Sequence, residues 1–254
     1  MKYTHLFAAL LFLLITNSAY GQETFPPDRP GIGNGSAITP NNMLGVEAGL
    51  QFTTSEFVDQ FDVGQLLLRY GLAEKLEIRA LLNSYSSATL NTPTEELTNS
   101  GFNDVALGAK YNIIPTNENR PNVSALLEVS LPFGSDAFTA DEVVPVVGIL
   151  ADQTLGDFWG ISSNFGYTFG AGDLEDSWLY TLTPGFTLPG NENIAGYAGY
   201  AGYAGMYYGE GVNQHWLEGG MTYSLENGSQ LDVNLGYETE GEIFFIGAGF
   251  AIGL

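Results

Sequence analysis

The sequence predicts an all-β protein built as a single antiparallel transmembrane β-barrel of about twelve strands. Three observations carry that expectation. The chain opens with an export signal, it then alternates apolar residues with small or polar ones almost to its end, and the connections alternate short turns with longer loops. Only 14% of its residues are charged, where a water-exposed surface ordinarily carries about a quarter, so much of the surface is expected to meet something other than water. With 44% hydrophobic residues, disorder is a poor fit.

Residues 1–21 read as a signal peptide. Lys2 precedes an apolar stretch from Leu6 to Ile15, and Ala19-Tyr20-Gly21 supplies the small-residue cleavage pattern before Gln22. The stretch is too short to span a bilayer as a helix, and no other run of eighteen apolar residues follows, which excludes a helical membrane protein. The destination expected after cleavage is the bacterial outer membrane. The chain has no cysteine, so no disulfide framework holds it. Residues 22–42 form an N-terminal periplasmic segment. Its Gly31-Ile32-Gly33-Asn34-Gly35 run lacks the spacing and preceding strand of a dinucleotide fingerprint, and reads instead as a flexible segment or small plug. The barrel itself occupies residues 43–254.

Period two is explicit in the strands. Leu44, Val46, Ala48, Leu50 and Phe52 share one face, against Gly45, Glu47, Gly49 and Gln51 on the other. Leu76, Ile78, Ala80 and Leu82 stand against Glu77, Arg79, Leu81 and Asn83, and the same alternation runs through residues 104–111, 122–131, 158–169, 230–237 and 244–254. Short turns fall at Leu72–Lys75, Leu155–Asp157, Pro189–Asn193 and Leu225–Ser229, the last carrying the hairpin signal Asn227-Gly228. Longer loops are expected at Ser84–Gly101 and Pro132–Glu142. That asymmetry is the habit of outer-membrane barrels, and an even strand number puts both termini on the periplasmic side. A secreted β-sandwich would alternate too, but its exterior would carry charges of both signs, with Lys on exposed edges. Here the second faces are mostly Gly, Ser, Thr, Asn and Gln, which suits a lumen.

The segment from Asn193 to Gly211 repeats Ala-Gly-Tyr three times. Laid on a strand, the triplet sends Tyr197 and Tyr203 to one face and Tyr200 and Met206 to the other. Neither face is cleanly apolar, so which set meets lipid stays open.

Acidic residues outnumber basic ones 29 to 7, for a formal charge of −22, which argues against a nucleic-acid partner. On this topology the outer loops hold acids such as Glu56, Glu95, Asp136, Asp141, Glu142, Asp173, Glu210, Glu238 and Glu240, and no Lys or Arg. They either solvate the rim or bind divalent cations at the lipopolysaccharide surface, since carboxylate oxygens suit Ca²⁺ and Mg²⁺. Arg69, Arg79 and Lys110 fall on the polar faces of three consecutive strands, toward the periplasmic end, and form one basic patch on the lumen wall. Glu47, Glu77, Asp152 and Asp232 share that depth and face. These seven charges either pair and fill the lumen or line a constriction that sets selectivity by facing rows of opposite charge.

Signals for catalysis are sparse. The mature chain has one histidine, His215, with Glu218 and Ser224 near it in sequence, but a regular strand puts His215 on the face of Leu217 and Met221, away from Glu218. No catalytic residues, cofactor or metal ligands are assigned, and the protein is not expected to be an enzyme. A lipid-acting barrel enzyme and a surface-structural barrel with acidic cation-binding loops are the alternatives to a channel.

The phrases "YGLAEKLEIRA", "GFNDVALGAKYNI", "VSLPFGSDAF" and "FFIGAGFAIGL", with Asp28-Arg29-Pro30 near the mature start, resemble the outer-membrane family named for the meta-pathway of phenol degradation. The resemblance spans most of the mature chain. It implies an outer-membrane transporter barrel that takes up small, hydrophobic or aromatic solutes, with outer-membrane lipid and lipopolysaccharide around it.

Overall fold

A computed structural model describes residues 24–116, 120–171, 175–206, 212–226 and 228–254; the expected signal peptide and, farther along, Asp173, Glu210 and Asn227 lie outside them. The described residues contain thirteen strands and no helix. They are β1 (Leu44–Thr54), β2 (Val58–Ala73), β3 (Leu76–Asn91), β4 (Glu96–Phe102), β5 (Val105–Ile114), β6 (Asn122–Leu131), β7 (Val144–Leu155), β8 (Trp159–Thr168), β9 (Ser177–Leu188), β10 (Asn191–Met206), β11 (Val212–Ser224), β12 (Gln230–Glu238) and β13 (Ile243–Gly253). The strands pair antiparallel, and β13 returns to pair with β1, which closes the sheet, with β4 paired on one side only, to β3. Leu44 and Leu254 exchange backbone hydrogen bonds at 3.0 and 2.8 Å, so the first and last strands end side by side.

The wall has twelve strands because β4 and β5 are two pieces of one. The far part of β3, Tyr85–Asn91, pairs with β4, and its near part, Leu76–Leu81, pairs with β5. The break falls at Asn103–Asp104. There the Asp104 carboxylate accepts the backbone N–H groups of Gly134 (2.8 Å) and Ala140 (2.9 Å), and so ties down the loop after β6. This corrects one expectation, since most of Ser84–Gly101 is a hairpin and only residues 92–95 form its tip. The reason is chemical. The hairpin is held by polar cross-strand pairs, Thr89 to Thr98 and Ser87 to Ser100, both at 2.9 Å. A reading keyed to apolar alternation does not see strands of that kind.

Polarity is inverted relative to a soluble protein. Leu50, Ile78, Leu107 and Leu217 stand on the outer surface, whereas Glu47, Arg69, Glu77 and Lys110 are fully buried inside. Closing the ladder pairs the strand backbones with one another within the wall, and the apolar outer face then meets hydrocarbon. On β8 and its neighbour β9, Trp159 packs on Phe186 (5.7 Å) and Tyr167 on Trp178 (4.4 Å). The two clusters sit eight residues apart along β8, and each presents rings at one end of the apolar band.

β2 and β3 carry a paired irregularity. Gly64, Gln65 and Asn83 have positive φ, and the register shifts between Val63 and Leu67. One extra residue switches which side chains face inward. Asp62 and Ser86 therefore point inward beyond the bulge, while Arg69, Glu77 and Arg79 point inward before it.

The Ala-Gly-Tyr run is strand β10. Tyr197 faces inward, its ring over Gly220. Tyr200 faces outward, in register with Leu217 and Leu182 and stacked near Tyr180 (6.0 Å) and His215 (6.1 Å). The question of which tyrosines meet lipid is thus resolved by register alone.

Candidate functional site

The lumen is occupied by the chain's own N-terminal segment, and the wall is shaped to it. Phe25 is buried with Met43 and Ala251. Its ring lies where a side chain at Gly45 would stand, its Cβ and Met43 Sδ lie where one at Gly253 would, and these two glycines face each other across β1 and β13. Two inward rungs along, past Glu47 and Ala251, the arrangement repeats. Gly49 pairs with Gly249, which pairs with Asp232, and the Arg29 guanidinium lies on the two glycines to reach that aspartate at 3.1 Å. A Cβ at Gly49 would stand 2.5 Å from the guanidinium carbon. Glycine is required here for close approach rather than for backbone freedom.

Asp28 is the centre of the site. Its carboxylate is within 2.9 Å of Lys110 Nζ, 2.9 Å of Arg79 Nη1 and 3.4 Å of Arg69 Nη1. Arg69 and Arg79 stand directly opposite each other across β2 and β3, an arrangement of like charges that is unfavourable alone. Glu77 accepts from Arg69 Nε (3.0 Å) and Nη2 (2.8 Å), Glu47 accepts from Nη1 (2.8 Å), and Glu128 pairs with Arg79 at 2.8 Å. Arg69 also lies over the Phe25 ring at 5.1 Å. Burial by itself would push the Asp28 carboxyl up, but Arg69, Lys110 and Arg79 together outweigh it and hold the group well below the usual carboxylate range.

Other wall groups take the segment's backbone. Glu47 accepts the N–H groups of Asp28 (3.0 Å) and Arg29 (2.9 Å), and Glu77 accepts that of Thr39 (2.7 Å). Asp152 accepts that of Ser36 (2.6 Å), and Glu218 that of Ile32 (2.9 Å). Asn164 accepts from Asn34 N–H (2.6 Å) and donates to its carbonyl (2.9 Å). All seven charges singled out from the sequence, Arg69, Arg79, Lys110, Glu47, Glu77, Asp152 and Asp232, thus converge on this segment rather than facing one another across an open gap. Two cavities flank it. One of about 340 Å³ is lined by Asp28, Asp152, Ile161 and Tyr197, and one of about 290 Å³ by Asp28, Glu47, Gln65 and Arg79.

Sequence reading missed Asp28, Arg29, Glu128, Asn164 and Glu218 as parts of the site. One signal was available, the Gly-x-x-x-Gly spacing of 45/49 on β1 and 249/253 on β13, which puts four side-chain-free positions on one inner face. Glu238, expected on an acidic rim, is instead buried, accepting the N–H groups of His215 (2.9 Å) and Glu240 (3.2 Å) at the β12–β13 turn. His215 meets Tyr200 (2.6 Å) on the outer side, while Glu218 faces inward, so these two do not form a catalytic pair. Among the described residues no three His, Cys, Asp or Glu side chains converge as a metal site.

Comparisons with known proteins agree with this architecture. The chain is similar to an outer membrane channel from Pseudomonas putida F1, with 14% identity, 89% of this chain and all of that one covered, and a TM-score of 0.68. It is also similar to the NanC porin (10% identity, 81% and 98% covered, TM-score 0.54) and to the KdgM porin crystallised with disordered oligogalacturonate (8%, 82% and 97%, 0.53). At such identities the likeness is one of fold. No curated protein matches the sequence. A family profile described as "Putative MetA-pathway of phenol degradation" matches residues 27–254, the whole of the barrel together with the segment that enters it, and the chain belongs to that family.

Proposed function

We propose that the protein is an outer-membrane channel for small solutes, with hydrophobic or aromatic compounds as the sharper form of the cargo, a reading supported by the phenol degradation in its family's description. The observation that carries this reading is the inverted polarity of a closed twelve-strand wall. An apolar exterior surrounds a lumen lined by Arg69, Arg79, Lys110, Glu47, Glu77 and Asp232, too polar to serve as a packed core. The seven lumen charges act as the selectivity region, and the segment from Thr24 to Asn42 acts as a resident stopper held in that region. Export proceeds through the cleaved signal at residues 1–21, and the mature barrel sits in the outer membrane.

Purified protein in planar bilayers tests the reading. Measurable conductance is expected, and it should rise when residues 24–40 are deleted. Absence of both ion conductance and solute flux, in native and deleted protein that still shows heat-dependent gel mobility, would overturn it.

A further inference from the structure

Three cations converge on one carboxylate that belongs to no wall strand. Arg69, Arg79 and Lys110 are all buried, and each reaches Asp28 on the N-terminal segment. Lys110 depends on that segment most. Among the described residues, every hydrogen bond of its Nζ goes there: to both Asp28 oxygens (2.9 and 3.1 Å), to Gly35 O (2.8 Å) and to Ala37 O (3.3 Å). Its cross-strand neighbour Glu77 is already engaged by Arg69 and Thr39. Once Asp28 leaves, the three cations keep three wall carboxylates, Glu47, Glu77 and Glu128, so this cluster is formally neutral. The docked Asp28 adds one negative charge, and any replacement matching it must be a monoanion able to accept from several donors at once.

We propose that Arg69, Arg79 and Lys110 form a carboxylate-binding site in the lumen, in which Asp28 is a tethered substitute for the carboxylate of a small organic solute. The 340 Å³ cavity beside Asp28 offers Ile161, Tyr197, Pro27 and Pro30 to the solute's apolar part, and such a volume lies at the small end of ligand pockets. Competition between solute and Asp28 would couple binding to loosening of the stopper. The inference rests on the channel reading and deepens it.

The test uses mature protein in detergent and titration calorimetry with benzoate, with benzyl alcohol as an uncharged analogue of similar size. Asp28→Asn is expected to bind benzoate at least about tenfold more tightly than the native protein, because the competing carboxylate is gone. Benzyl alcohol should bind both equally weakly. Adding Lys110→Met to Asp28→Asn should cost about tenfold or more for benzoate alone. Arg79→Gln replaces Lys110→Met if the latter loses its folded gel mobility. The site is overturned if benzoate binds no more tightly to Asp28→Asn or Asp28→Ala than to native protein, or if benzyl alcohol follows benzoate. Conductance in KCl on the same preparations separates the two readings. Open channels without benzoate binding sink the site alone, and benzoate binding with neither conductance nor solute flux, in these preparations and in protein lacking residues 24–40, sinks the channel alone.

Discussion

The wall grips its N-terminal segment differently on its two sides. Across β1, β2, β3 and β5 the grip is made of charge, with Asp28 bridging Arg69, Arg79 and Lys110 while Glu47 and Glu77 brace Arg69. Across β7, β8 and β11 the grip is made of single acceptors for backbone N–H groups, at Asp152, Asn164 and Glu218. The first side grips a charged side chain as well as backbone N–H groups, and the second grips the backbone and the Ser36 hydroxyl. That difference explains the glycine at position 33. A Cβ at Gly33 would come within 2.9 Å of Asn164 Oδ1, so at that position the second side works only when a side chain keeps out.

The comparison can be broken at its strongest point first. Arg69→Met leaves Glu47, Glu77 and Asp28 buried without their shared partner, and removal of one member of a buried ion network costs about 3–5 kcal/mol. Thermal unfolding in detergent should register that loss. Asp28→Asn keeps the shape and removes the charge that separates two facing arginines, with an expected loss of about 2–3 kcal/mol of docking. The chain has no cysteine, so Ala37→Cys gives a clean reporter, and its reaction with a bulky thiol reagent should accelerate in the Asp28→Asn background.

Gly249→Leu should displace Arg29 from Asp232, since a side chain there would occupy the guanidinium's place. Overpacking of this kind costs about 1–3 kcal/mol, read by the same reporter. On the other side, Glu218→Gln weakens one hydrogen bond to Ile32 N–H and should cost about 1 kcal/mol. An effect of Glu218→Gln as large as that of Asp28→Asn would abolish the distinction between the two sides.

The pH response follows from the same charge cluster. Asp28 titrates lower when docked than when released, so its contribution is fully present above the ordinary aspartate value, about 3.9, and is lost only as pH falls through the depressed docked value. Acidification to about pH 4.5 should therefore leave reporter labelling slow, and rapid labelling at that pH would contradict the ion-pair latch.

Much of the barrel was legible because its physics is local. Alternation of Leu44, Val46, Leu50 and Phe52 with Glu47, Gly49 and Gln51 encodes which face is which, and the same logic placed Arg69, Arg79 and Lys110 on one wall. The β3–β4 hairpin escaped because Thr89, Thr98, Ser87 and Ser100 pair through hydroxyls, so beyond the Tyr85–Phe102 pair two successive rungs of that face hold no apolar side chain. Asp28 and Arg29 escaped because nothing adjacent in the chain partners them. Their contacts are 41 and 203 residues away, with Arg69 and Asp232.

Period two and the bilayer's intolerance of unpaired backbone are properties of short stretches, so the sequence by itself determined a closed antiparallel wall with apolar outside and charges within. Only the tertiary structure decided what those charges hold. Closure brings β1 against β13, aligns Gly45 with Gly253 and Gly49 with Gly249, and thereby carves a niche for Phe25 and Arg29. The register slip at Gly64, Gln65 and Asn83 separately sets which charges of β2 and β3 share the lumen. Such alignment depends on how strands slide past one another, a quantity that no single strand contains.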